Sequence, residues 1–375
     1  MQQLDDLLVN PDTIYQSFFE HRKTNNINVL DLFSGCGGMS LGFKNAGFNI
    51  LAGVDNDKHS LETYSANIDS PCINIDLSNP DWINNLSDLI NMDKVDIIIG
   101  GPPCQGYSLT GIRDEKDPRN ILYDAMFKAI DNFKPKIVVI ENVKGMATLF
   151  KGKAHKDVKS RFQKRGFHCD SKVLNAAEYG VPQIRERLFF LATSNSNKPL
   201  YLPGPMLDKS RFISCEKAIS DLPSLEDNTG MEISKYNSQP SSSFQSYIRN
   251  GSTILYNHVA TAHKQFVKDI IKLVPDGGNH KDLPKGIGKS RTFNEAWTRY
   301  ASDRPSRTID TGHRNHFHYK WDRVPTIREN ARLQSFPDDF QFYGPKTQQN
   351  RQVGNAVPVL LAQTIAMKIA NYLQS

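Results

Sequence analysis

Short apolar runs that alternate with helical patterns constrain the fold of this chain more than any other feature. Strand-like runs occur at Ile27–Phe33 and in "FNILAGVDND", "VDIIIGG" and "KIVVIENV", and "ILYDAMFKAIDNF" has helical spacing. Strands that are apolar at nearly every position are typical of parallel sheets covered by helices on both faces. The sequence therefore predicts an α/β fold with a doubly wound, mostly parallel sheet.

This regular pattern ends after "RERLFFLATSNS". Residues 198–303 are rich in Pro, Ser, Asn and Gly and show no sustained period. A chain of 375 residues is long enough for two domains, so we interpret this segment as a second, smaller, loop-rich domain with short strands. The final stretch "QVGNAVPVLLAQTIAMKIANYL" predicts an apolar helix that packs on the first domain.

Composition excludes several classes of protein. No apolar run approaches the ~20 residues that span a bilayer, so we expect no membrane association. The N-terminus has early aspartates and no basic stretch before an apolar core, which disfavours a secretory signal and predicts a cytoplasmic location. Five scattered cysteines without a Cys-x-x-Cys pair argue against a disulfide framework and a structural zinc site.

Positive charge is concentrated in one stretch. The net charge is +6, and Arg249 to Arg332 holds sixteen Lys/Arg against eight Asp/Glu, a balance of +8. Such a stretch is typical of proteins that bind a polyanion such as nucleic acid. It is equally typical of a solvated basic face, and the count does not separate the two.

A glycine-rich turn after the first strand predicts a ligand site. Gly35, Gly37 and Gly38 would let a ligand approach backbone N–H groups at a helix N-terminus. A dinucleotide fingerprint needs glycine where the chain has Ser40, which disfavours a nicotinamide-dependent oxidoreductase. Asp55 ends the second strand at the distance where an acid commonly binds ribose hydroxyls.

The acids favour one nucleoside without a phosphate. Asp76 follows a predicted third strand and is suited to accept from an adenine amino group, while the glycine turn contains no P-loop lysine. S-adenosylmethionine, with a ribose and an amino-acid tail, is such a ligand. For either acid alone, a solubilising role at a strand end remains the alternative.

Cys104 follows two prolines at the end of an apolar run, in "IIGGPPCQGYS". Pro102 and Pro103 cannot continue a central strand and they fix φ, so they would hold Cys104 in a stiff loop at the carboxyl edge of the sheet. A thiolate presented there is a nucleophile. A small buried core cysteine is the alternative.

Three further charged residues follow strand patterns. Glu141 closes "KIVVIENV", where a carboxylate is costly to bury unless it is paired or functional, and a raised pKa there would suit a general acid. "QIRERLFFL" places Arg185 and Arg187 on one face if the strand period already holds. Two guanidinium groups can hold a carboxylate, a phosphate or a carbonyl oxygen. Salt bridges to Glu186 or other neighbours are the alternative.

Six motifs stand in the order typical of one family. "DLFSGCGGMSLGF", "GGPPCQGYS", "ENV", "QIRERLFF", "TIRENARLQSFPDDF" and "QVGNAVP" make the chain resemble the DNA cytosine C5-methyltransferases of bacterial restriction-modification systems, from about residue 28 to 373. The resemblance implies the Rossmann-like fold of the S-adenosylmethionine-dependent methyltransferases. It also implies four segments: an N-terminal extension (1–25), a cofactor-binding and catalytic domain (26–190), a target recognition domain (191–345) and a C-terminal helix returning to the catalytic domain (346–375).

The resemblance implies a role for each matched site residue. Cys104 would attack C6 of a cytosine flipped out of the duplex, and Glu141 would hydrogen-bond the N3 edge. Arg187, with Arg185 nearby, would contact the base or its backbone. The residues implied to bind S-adenosylmethionine are Phe33, Gly35, Gly37, Gly38, Asp55 (ribose), Asp76 (adenine), Asn56, Leu77, Pro102, Leu122 and Asn355.

Partners and location are also implied by the resemblance. It implies double-stranded DNA as substrate, a companion restriction endonuclease, a monomer on DNA, the bacterial cytosol, and a role for Asn355 in joining the two domains. It implies no metal. The cluster "HRNHFH" (His313, His316, His318) has no carboxylate or cysteine at ligand spacing, so we predict backbone contacts to DNA or loop packing for it.

Two other functions are weighed against this one. Relatives that methylate tRNA share the catalytic motifs, but they carry a Cys-Phe-Thr stretch that this sequence lacks. A non-catalytic DNA-binding relative would have no physical reason to keep Cys104, Glu141 and the glycine turn together.

Overall fold

The computed structural model describes residues 10–19, 27–90, 94–103, 121–287, 296–312 and 315–375. Cys104 and His313 lie outside the described residues. The described chain is built around one sheet, whose strands are β1 (Asn28–Leu32), β2 (Asn49–Asp55), β3 (Cys72–Asn74), β4 (Ile97–Gly100), β5 (Ile137–Val143), β6 (His168–Asn175) and β7 (Glu186–Thr193).

The strand order is β3-β2-β1-β4-β5-β7-β6. β1 to β5 pair in parallel, and β7 lies antiparallel between β5 and β6. The predicted mostly parallel sheet is confirmed. The chain winds outward in both directions from β1 and β4, so the carboxyl ends of these two strands border the crevice where such sheets bind ligands.

Both faces of the sheet are buried. In β4, Ile97 and Ile99 pack into the hydrophobic cluster on one face, and Ile98 packs into the cluster on the other. The same alternation runs along β5, where four consecutive residues are fully buried. These runs are apolar at every position because neither face of the sheet meets solvent.

The helices of the described residues are α1 (Pro11–Phe18), α2 (Gly38–Asn45), α3 (Lys58–Asn67), α4 (Trp82–Ser87), α5 (Ile121–Phe133), α6 (Lys153–Gln163), α7 (Cys215–Ile219), α8 (Ser243–Arg249), α9 (Gln265–Lys272), α10 (Ile327–Leu333), α11 (Lys346–Asn355) and α12 (Val359–Gln374). Helices α4, α5 and α6 cover one face of the sheet. Helices α1, α2, α3 and α12 contribute to the cluster on the other face.

The C-terminal stretch, for which the sequence predicts a single helix, forms two. α11 ends at Asn355, and α12 begins directly after Pro358, which cannot continue a preceding helix. α12 packs across α2, where a Cβ on Gly42 would lie 2.6 Å from the Cβ of Ala362. Of the residues described, one segment, Lys346–Gln374, is long and apolar enough to cross a membrane, and 83% of its most apolar window is buried, as in a core helix.

Part of the N-terminal extension belongs to the folded core. Helix α1 buries Ile14 and Phe18 against the sheet cluster. The Tyr15 hydroxyl donates to the Gly180 carbonyl at 2.8 Å, and its ring stacks on Tyr247 of α8. Helix α1 therefore connects the loop before β7 with the irregular segment, a role that the sequence did not predict.

The segment of residues 198–345 has long loops and strands of only two or three residues, as the sequence predicts for residues 198–303. Its strands form two small sheets, β8 (Ile233–Lys235) with β9 (Ile254–Tyr256), and β10 (Thr298–Arg299) with β11 (His316–Phe317). Much of the segment packs into the same cluster as α2 and α12, while Ile271, Val274, Phe317 and Val324 form a separate small core. The domain boundaries given above stay a prediction.

Buried ion pairs hold this segment together. Arg332 of α10 is fully buried and bonds to both Asp221 and Asp338, and Arg249 of α8 also bonds to Asp221. We call these four side chains the buried arginine network. The guanidinium of Arg332 holds the pKa of Asp338 below its ordinary value despite burial. Charges this deep persist only when they are paired and hydrogen-bonded.

Candidate active site

The turn after β1 is tied to the end of β2. Phe33 has a φ of 59°, a left-handed conformation that is rare for a bulky residue, and the Ser34 N–H donates to the Val54 carbonyl at 3.1 Å. The Gly35 N–H donates to Asp55 Oδ2 at 2.8 Å. Unusual backbone conformations of this kind concentrate at ligand sites.

Two acids at neighbouring strand ends keep acceptor positions for a ligand. Asp55 accepts three backbone N–H groups, from Gly35 and from the two residues that follow it. A carboxylate has about four lone-pair sites, which leaves one for a hydroxyl. Asp76, beyond β3, uses Oδ1 for the N–H and the hydroxyl of Ser78, which leaves Oδ2 for an amino group.

A single cavity of about 920 Å³ joins these groups at the carboxyl edge of the sheet. Cofactor sites typically occupy about 300 to 1,000 Å³. The predicted site residues that line the cavity are Phe33, Gly35, Gly38, Asp55, Asn56, Asp76, Leu77, Pro102, Leu122, Glu141, Arg185, Arg187 and Asn355. Gly37 lies behind the turn, with a φ of 93°, where a Cβ would approach Ile68 to 2.8 Å.

Glu141 and Arg187 form an ion pair in the cavity wall. Arg187 Nε lies 3.1 Å from Glu141 Oε1, and the side chains are 16% and 13% exposed. Burial raises the pKa of Glu141 above its ordinary value, although the guanidinium groups of Arg187 and Arg185 oppose this shift. A carboxyl group with a raised pKa holds its proton closer to neutral pH, as a general acid requires.

The backbone that leads to Cys104 passes close to this carboxylate. A Cβ on Gly101 would lie 3.2 Å from Glu141 Oε2, so glycine permits the approach. The Asn142 amide donates to the Pro102 carbonyl at 3.2 Å and fixes the loop to β5. Pro103 lines the cavity, and Cys104, the next residue, is outside the described residues.

Arg185 is committed to backbone carbonyls, although it lines the same cavity. Its side chain is 1% exposed and donates to the Gly354 carbonyl at 2.8 Å and to the Ile309 carbonyl at 3.3 Å. Burial and the neighbouring Arg187 lower its pKa. Arg185 therefore connects the start of β7 with the end of α11 and with the segment before residue 310, and Arg187 alone of the two arginines pairs with Glu141.

Sequence reasoning missed Asp31. This residue lies in β1, is 1% exposed and lines the cavity, and burial raises its pKa to about 7. Ser40, which replaces the glycine of a dinucleotide fingerprint, donates to Asp31 Oδ2 at 2.6 Å and lies 3.0 Å from the Tyr64 hydroxyl. An aspartate inside an otherwise apolar strand was the signal that could have identified it.

The described histidines of the "HRNHFH" cluster pack inside the protein. His316 stacks on Tyr300, and His318 is 2% exposed, with a pKa lowered by burial to about 3. Within the described ranges, no group of three or more His, Cys, Asp or Glu residues could hold a metal ion. Loop packing therefore accounts for both described histidines.

The basic stretch from 249 to 332 is partly internal. Among the Lys/Arg of this stretch that the structure describes, the buried ones are Arg249, Arg299, Arg323, Arg328 and Arg332. Each donates to backbone carbonyls or carboxylates within the protein. The charge count of the stretch therefore overstates the positive charge that a polyanion could meet.

The fold and the cavity together define a class of protein. The acids suit a nucleoside, and Ser34 Oγ is buried in the cavity wall without a hydrogen-bond partner among the described residues, which leaves it available to a polar ligand. A mostly parallel, seven-stranded sheet with a nucleoside-type cavity at its carboxyl ends places the protein in the class of S-adenosylmethionine-dependent methyltransferases, as predicted.

Solved structures agree with this class. The crystal structure of a prophage-encoded E. coli protein described as a DNA modification methyltransferase has a TM-score of 0.76 at 26% identity, and the match covers 93% of this chain and 100% of that one. The crystal structure of S. pombe Dnmt2 has a TM-score of 0.58 at 17% identity over 93% and 99% of the two chains, which shows the fold alone.

Sequence comparisons identify the family. The family model for C-5 cytosine-specific DNA methylases matches residues 27–371. The type II methyltransferase M.DdeI of Desulfomicrobium norvegicum is 36% identical, covering 93% of this chain and 90% of its own. M1.HphI of Haemophilus parahaemolyticus is 37% identical, covering 91% and 86%. The chain belongs to the C-5 cytosine-specific DNA methylase family and is a DNA (cytosine-5) methyltransferase, which confirms the prediction from its six motifs.

Proposed function

We propose that this enzyme methylates C5 of cytosine within a specific sequence of duplex DNA, uses S-adenosylmethionine as methyl donor, and acts beside a restriction endonuclease. One observation carries the proposal: acids suited to a nucleoside and the Glu141–Arg187 pair line the same cavity, next to the backbone that leads to Cys104. The type II methyltransferase names of M.DdeI and M1.HphI support the restriction-modification setting.

The described residues fit S-adenosylmethionine. Asp55 would accept from a ribose hydroxyl, and Asp76 would accept from the adenine amino group. The turn from Phe33 to Gly38 would hold the amino-acid tail near the N-terminus of α2. When bound, the cofactor supplies an electrophilic methyl group. The remaining residues assigned to it are Asn56, Leu77, Pro102, Leu122 and Asn355, all in the cavity wall, and Gly37, which shapes the turn.

Cys104 would make C5 of cytosine nucleophilic. C5 is too electron-poor to take a methyl cation equivalent, so the Cys104 thiolate forms a bond to C6 while Glu141 gives a proton to N3. The electron pair displaced toward C5 would form the bond to the methyl carbon while the bond from that carbon to the sulfonium sulfur of the donor breaks, and the sulfur would keep the electron pair of the broken bond. A base then removes the C5 proton, the C5–H electrons restore the ring double bond, and the C6–sulfur bond breaks. N3 returns its proton to Glu141.

Burial gives Glu141 and Arg187 complementary tasks in this reaction. A raised pKa lets Glu141 carry the proton that N3 needs at the moment of attack. Arg187, 3.1 Å from Glu141, would steady the carboxylate after the proton leaves and contact the base or its backbone. Arg185, bonded to Gly354 and Ile309, would maintain the position of Arg187.

The target cytosine would leave the duplex to reach these groups. In paired DNA, N3 is engaged in the base pair and C6 is stacked between neighbours, so neither side chain can approach. We expect Arg, Lys, Asn and Gln side chains of residues 191–345 to read base edges in the major groove. We also expect a monomer on DNA in the bacterial cytoplasm.

Bisulfite sequencing of plasmid DNA from expressing cells tests the proposal. Cytosines within one short sequence should be protected, and Cys104→Ser should abolish protection while retaining cofactor and DNA binding, because a hydroxyl is a far weaker nucleophile than a thiolate. Cys169→Ser, a half-buried thiol of β6 outside the cavity, is the matched control and should protect the same cytosines.

Two results would contradict the proposal. Normal methylation by Cys104→Ser would exclude the covalent route. Absence of protected cytosines with folded, unsubstituted protein would exclude DNA as the acceptor in those cells, and tRNA would be tested next.

A further inference from the structure

The two halves of the catalytic sheet carry opposite charges. Residues 27–103, which form β1 to β4 and the cofactor side, hold ten Asp/Glu against three Lys/Arg. Residues 144–172, which follow β5 and run into β6, hold nine Lys/Arg against two Asp/Glu. This second segment has a higher density of positive charge than the stretch from 249 to 332, and neither the motifs nor the reaction accounts for it.

Most of this positive charge faces solvent. The two arginines near the end of α6 turn inward to α5, where Arg161 pairs with Asp124 at 2.6 Å and Arg165 pairs with Asp131 at 2.6 Å. The exposed lysines of the segment include Lys151, Lys153, Lys156, Lys159 and Lys164. Unlike the five buried arginines of residues 249–332, these lysines are not part of the protein interior.

One end of this lysine row lies beside the catalytic cavity. Val143 lines the cavity, and Lys144, the next residue, pairs with Glu186 at 2.8 Å. Two 3-10 turns, Lys144–Ala147 and Leu149–Gly152, connect β5 to α6. At a rise of about 2 Å per residue, Lys151 lies within roughly 15 Å of Val143. Lys153 and Lys156 follow in the first turn of α6.

The other end of the row lies at the opposite edge of the sheet. β6 and β5 run in the same direction, so α6 between them runs from the carboxyl edge to the amino edge. Lys164 caps the C-terminal end of α6, and β6 then starts at His168, which pairs with Thr193 opposite Ile137 at the start of β5. Lys164 is therefore far from the cavity.

We propose that Lys151, Lys153 and Lys156, here called the α6 basic surface, bind backbone phosphates of the duplex flanking the target cytosine. The inference rests on the proposed function in taking duplex DNA as the substrate. A separation of roughly 15 Å corresponds to about four to five base pairs at 3.4 Å each, so a duplex with its target at the cavity extends past these lysines.

The charge distribution selects DNA phosphates as the ligand. A duplex approaching the carboxyl edge meets Asp55, Asp57 and Asp76 on the side of β1 to β3 and Lys151, Lys153 and Lys156 on the side of α6, so its phosphates are attracted toward α6. Lysine ammonium groups act as point charges on phosphates and carry no base readout. The α6 basic surface therefore contributes affinity and orientation, and sequence choice stays with other residues.

Salt-dependent DNA binding by two matched triple variants tests this surface. The first is Lys151→Gln/Lys153→Gln/Lys156→Gln. The control is Lys94→Gln/Lys128→Gln/Lys164→Gln, which removes the same charge from exposed positions away from the carboxyl edge. Fluorescence anisotropy with a long duplex from about 50 to 300 mM salt gives the slope of log K against log[salt]. The magnitude of this slope decreases by about 0.9 for each phosphate that the protein no longer neutralises.

The first variant should lower the magnitude of the slope by about 2 to 3 and weaken target and random duplexes by the same factor, while the control keeps the slope of the unsubstituted enzyme. Equal slopes and affinities for the two variants would overturn the proposal. A larger loss for the target than for random DNA would also overturn it, because that result requires base readout.

The outcome is separable from that of the proposed function. Binding of S-adenosylmethionine and thermal melting check that both variants are folded. If the unsubstituted enzyme methylates duplex DNA and the two variants bind DNA alike, the proposal for the α6 basic surface is wrong and the proposed function is retained. If the first variant weakens tRNA binding and leaves duplex binding unchanged, the assignment to DNA is wrong.

Discussion

Charged side chains serve different purposes in the two parts of this enzyme. At the carboxyl edge of the sheet, Asp55, Asp76 and Glu141 stand at strand ends around a cavity. In the irregular segment, Arg332 and Asp338 are 0% exposed and bond to each other. The first set lines a cavity that a ligand can enter, and the second set forms ion pairs and hydrogen bonds within the protein.

The difference follows from how the backbone N–H and C=O groups of each part find hydrogen-bond partners. The strands of the sheet pair their own N–H and C=O groups, so side chains at their ends remain available. The irregular segment has few paired strands, so many of its backbone carbonyls have no backbone N–H partner, and arginine side chains donate to them instead. Arg299 donates to the carbonyls of Val274, Ile271 and His318, and Arg328 donates to those of Tyr256, Pro337 and Phe340. Five N–H donors in one fork suit this task.

Glu141→Gln separates chemistry from stability at the edge of the sheet. Loss of the proton donor should lower the single-turnover rate of methyl transfer by about 10²- to 10⁴-fold. The melting temperature should change little, because glutamine keeps the shape and an acceptor oxygen for Arg187, and this pair faces the cavity and not the protein interior. Glu186→Gln is the matched control: it removes an exposed carboxylate paired with Lys144 and should leave the rate nearly unchanged. A rate loss of the same size in both variants would contradict the assignment.

Arg332→Met should have the opposite effect, a large loss of stability. It removes the bonds that Arg332 makes to the buried Asp338 and Asp221, although Arg249 still bonds to Asp221, and breaking a buried pair costs about 3–5 kcal/mol of the free energy of unfolding. Urea unfolding measures this loss. Arg304→Met, which removes an exposed pair with Asp303, is the control and should change stability little. If Arg332→Met does not fold, the milder Asp338→Asn should still lower the urea midpoint.

Asp31→Asn tests whether a buried carboxylate near the carboxyl edge of the sheet lowers the stability of the protein. Burial raises the pKa of Asp31 from its ordinary value of 3.8 to about 7. The folded protein therefore binds more protons than the unfolded chain between these values, and Asp31 lowers stability as the pH rises from about 4 to 7. The substitution should remove this dependence, which amounts to about 4 kcal/mol at most.

Unfolding free energies at pH 5 and pH 8 measure this effect. The free energy of unfolding of the Asp31→Asn variant should increase relative to that of the unsubstituted enzyme as the pH rises. The same pH dependence in both proteins would show that Asp31 does not titrate in this range.

Much of the fold could be predicted from sequence because it depends on local patterns. β4 and the first four residues of β5 are apolar at every position, and Asp55 and Asp76 stand at the ends of strand patterns. The carboxyl edge of a parallel sheet therefore brings these two acids together. The break between α11 and α12 was missed, although Pro358 marks it in the sequence. The predicted site residues stay predictions as to their roles, and Cys104 lies outside the described residues.

Other features depend on contacts between distant parts of the chain. Arg185 and Arg187 are two residues apart and look equivalent in sequence, yet Arg185 bonds to Ile309 and Gly354 while Arg187 pairs with Glu141. From the sequence, helix α1 belongs to an N-terminal extension, yet its Tyr15 hydroxyl donates to the carbonyl of the distant Gly180. No local pattern contains these partners.

The sequence by itself determined the sheet, its ligand-binding edge and the family, because strand periodicity and short motifs are properties of adjacent residues. Only the tertiary structure decided which charges are exposed. The stretch from Arg249 to Arg332 holds sixteen Lys/Arg, but five of its arginines are buried, while the lysines beside α6 face solvent. Whether a charge meets water is set by what packs over it, and those residues come from elsewhere in the chain.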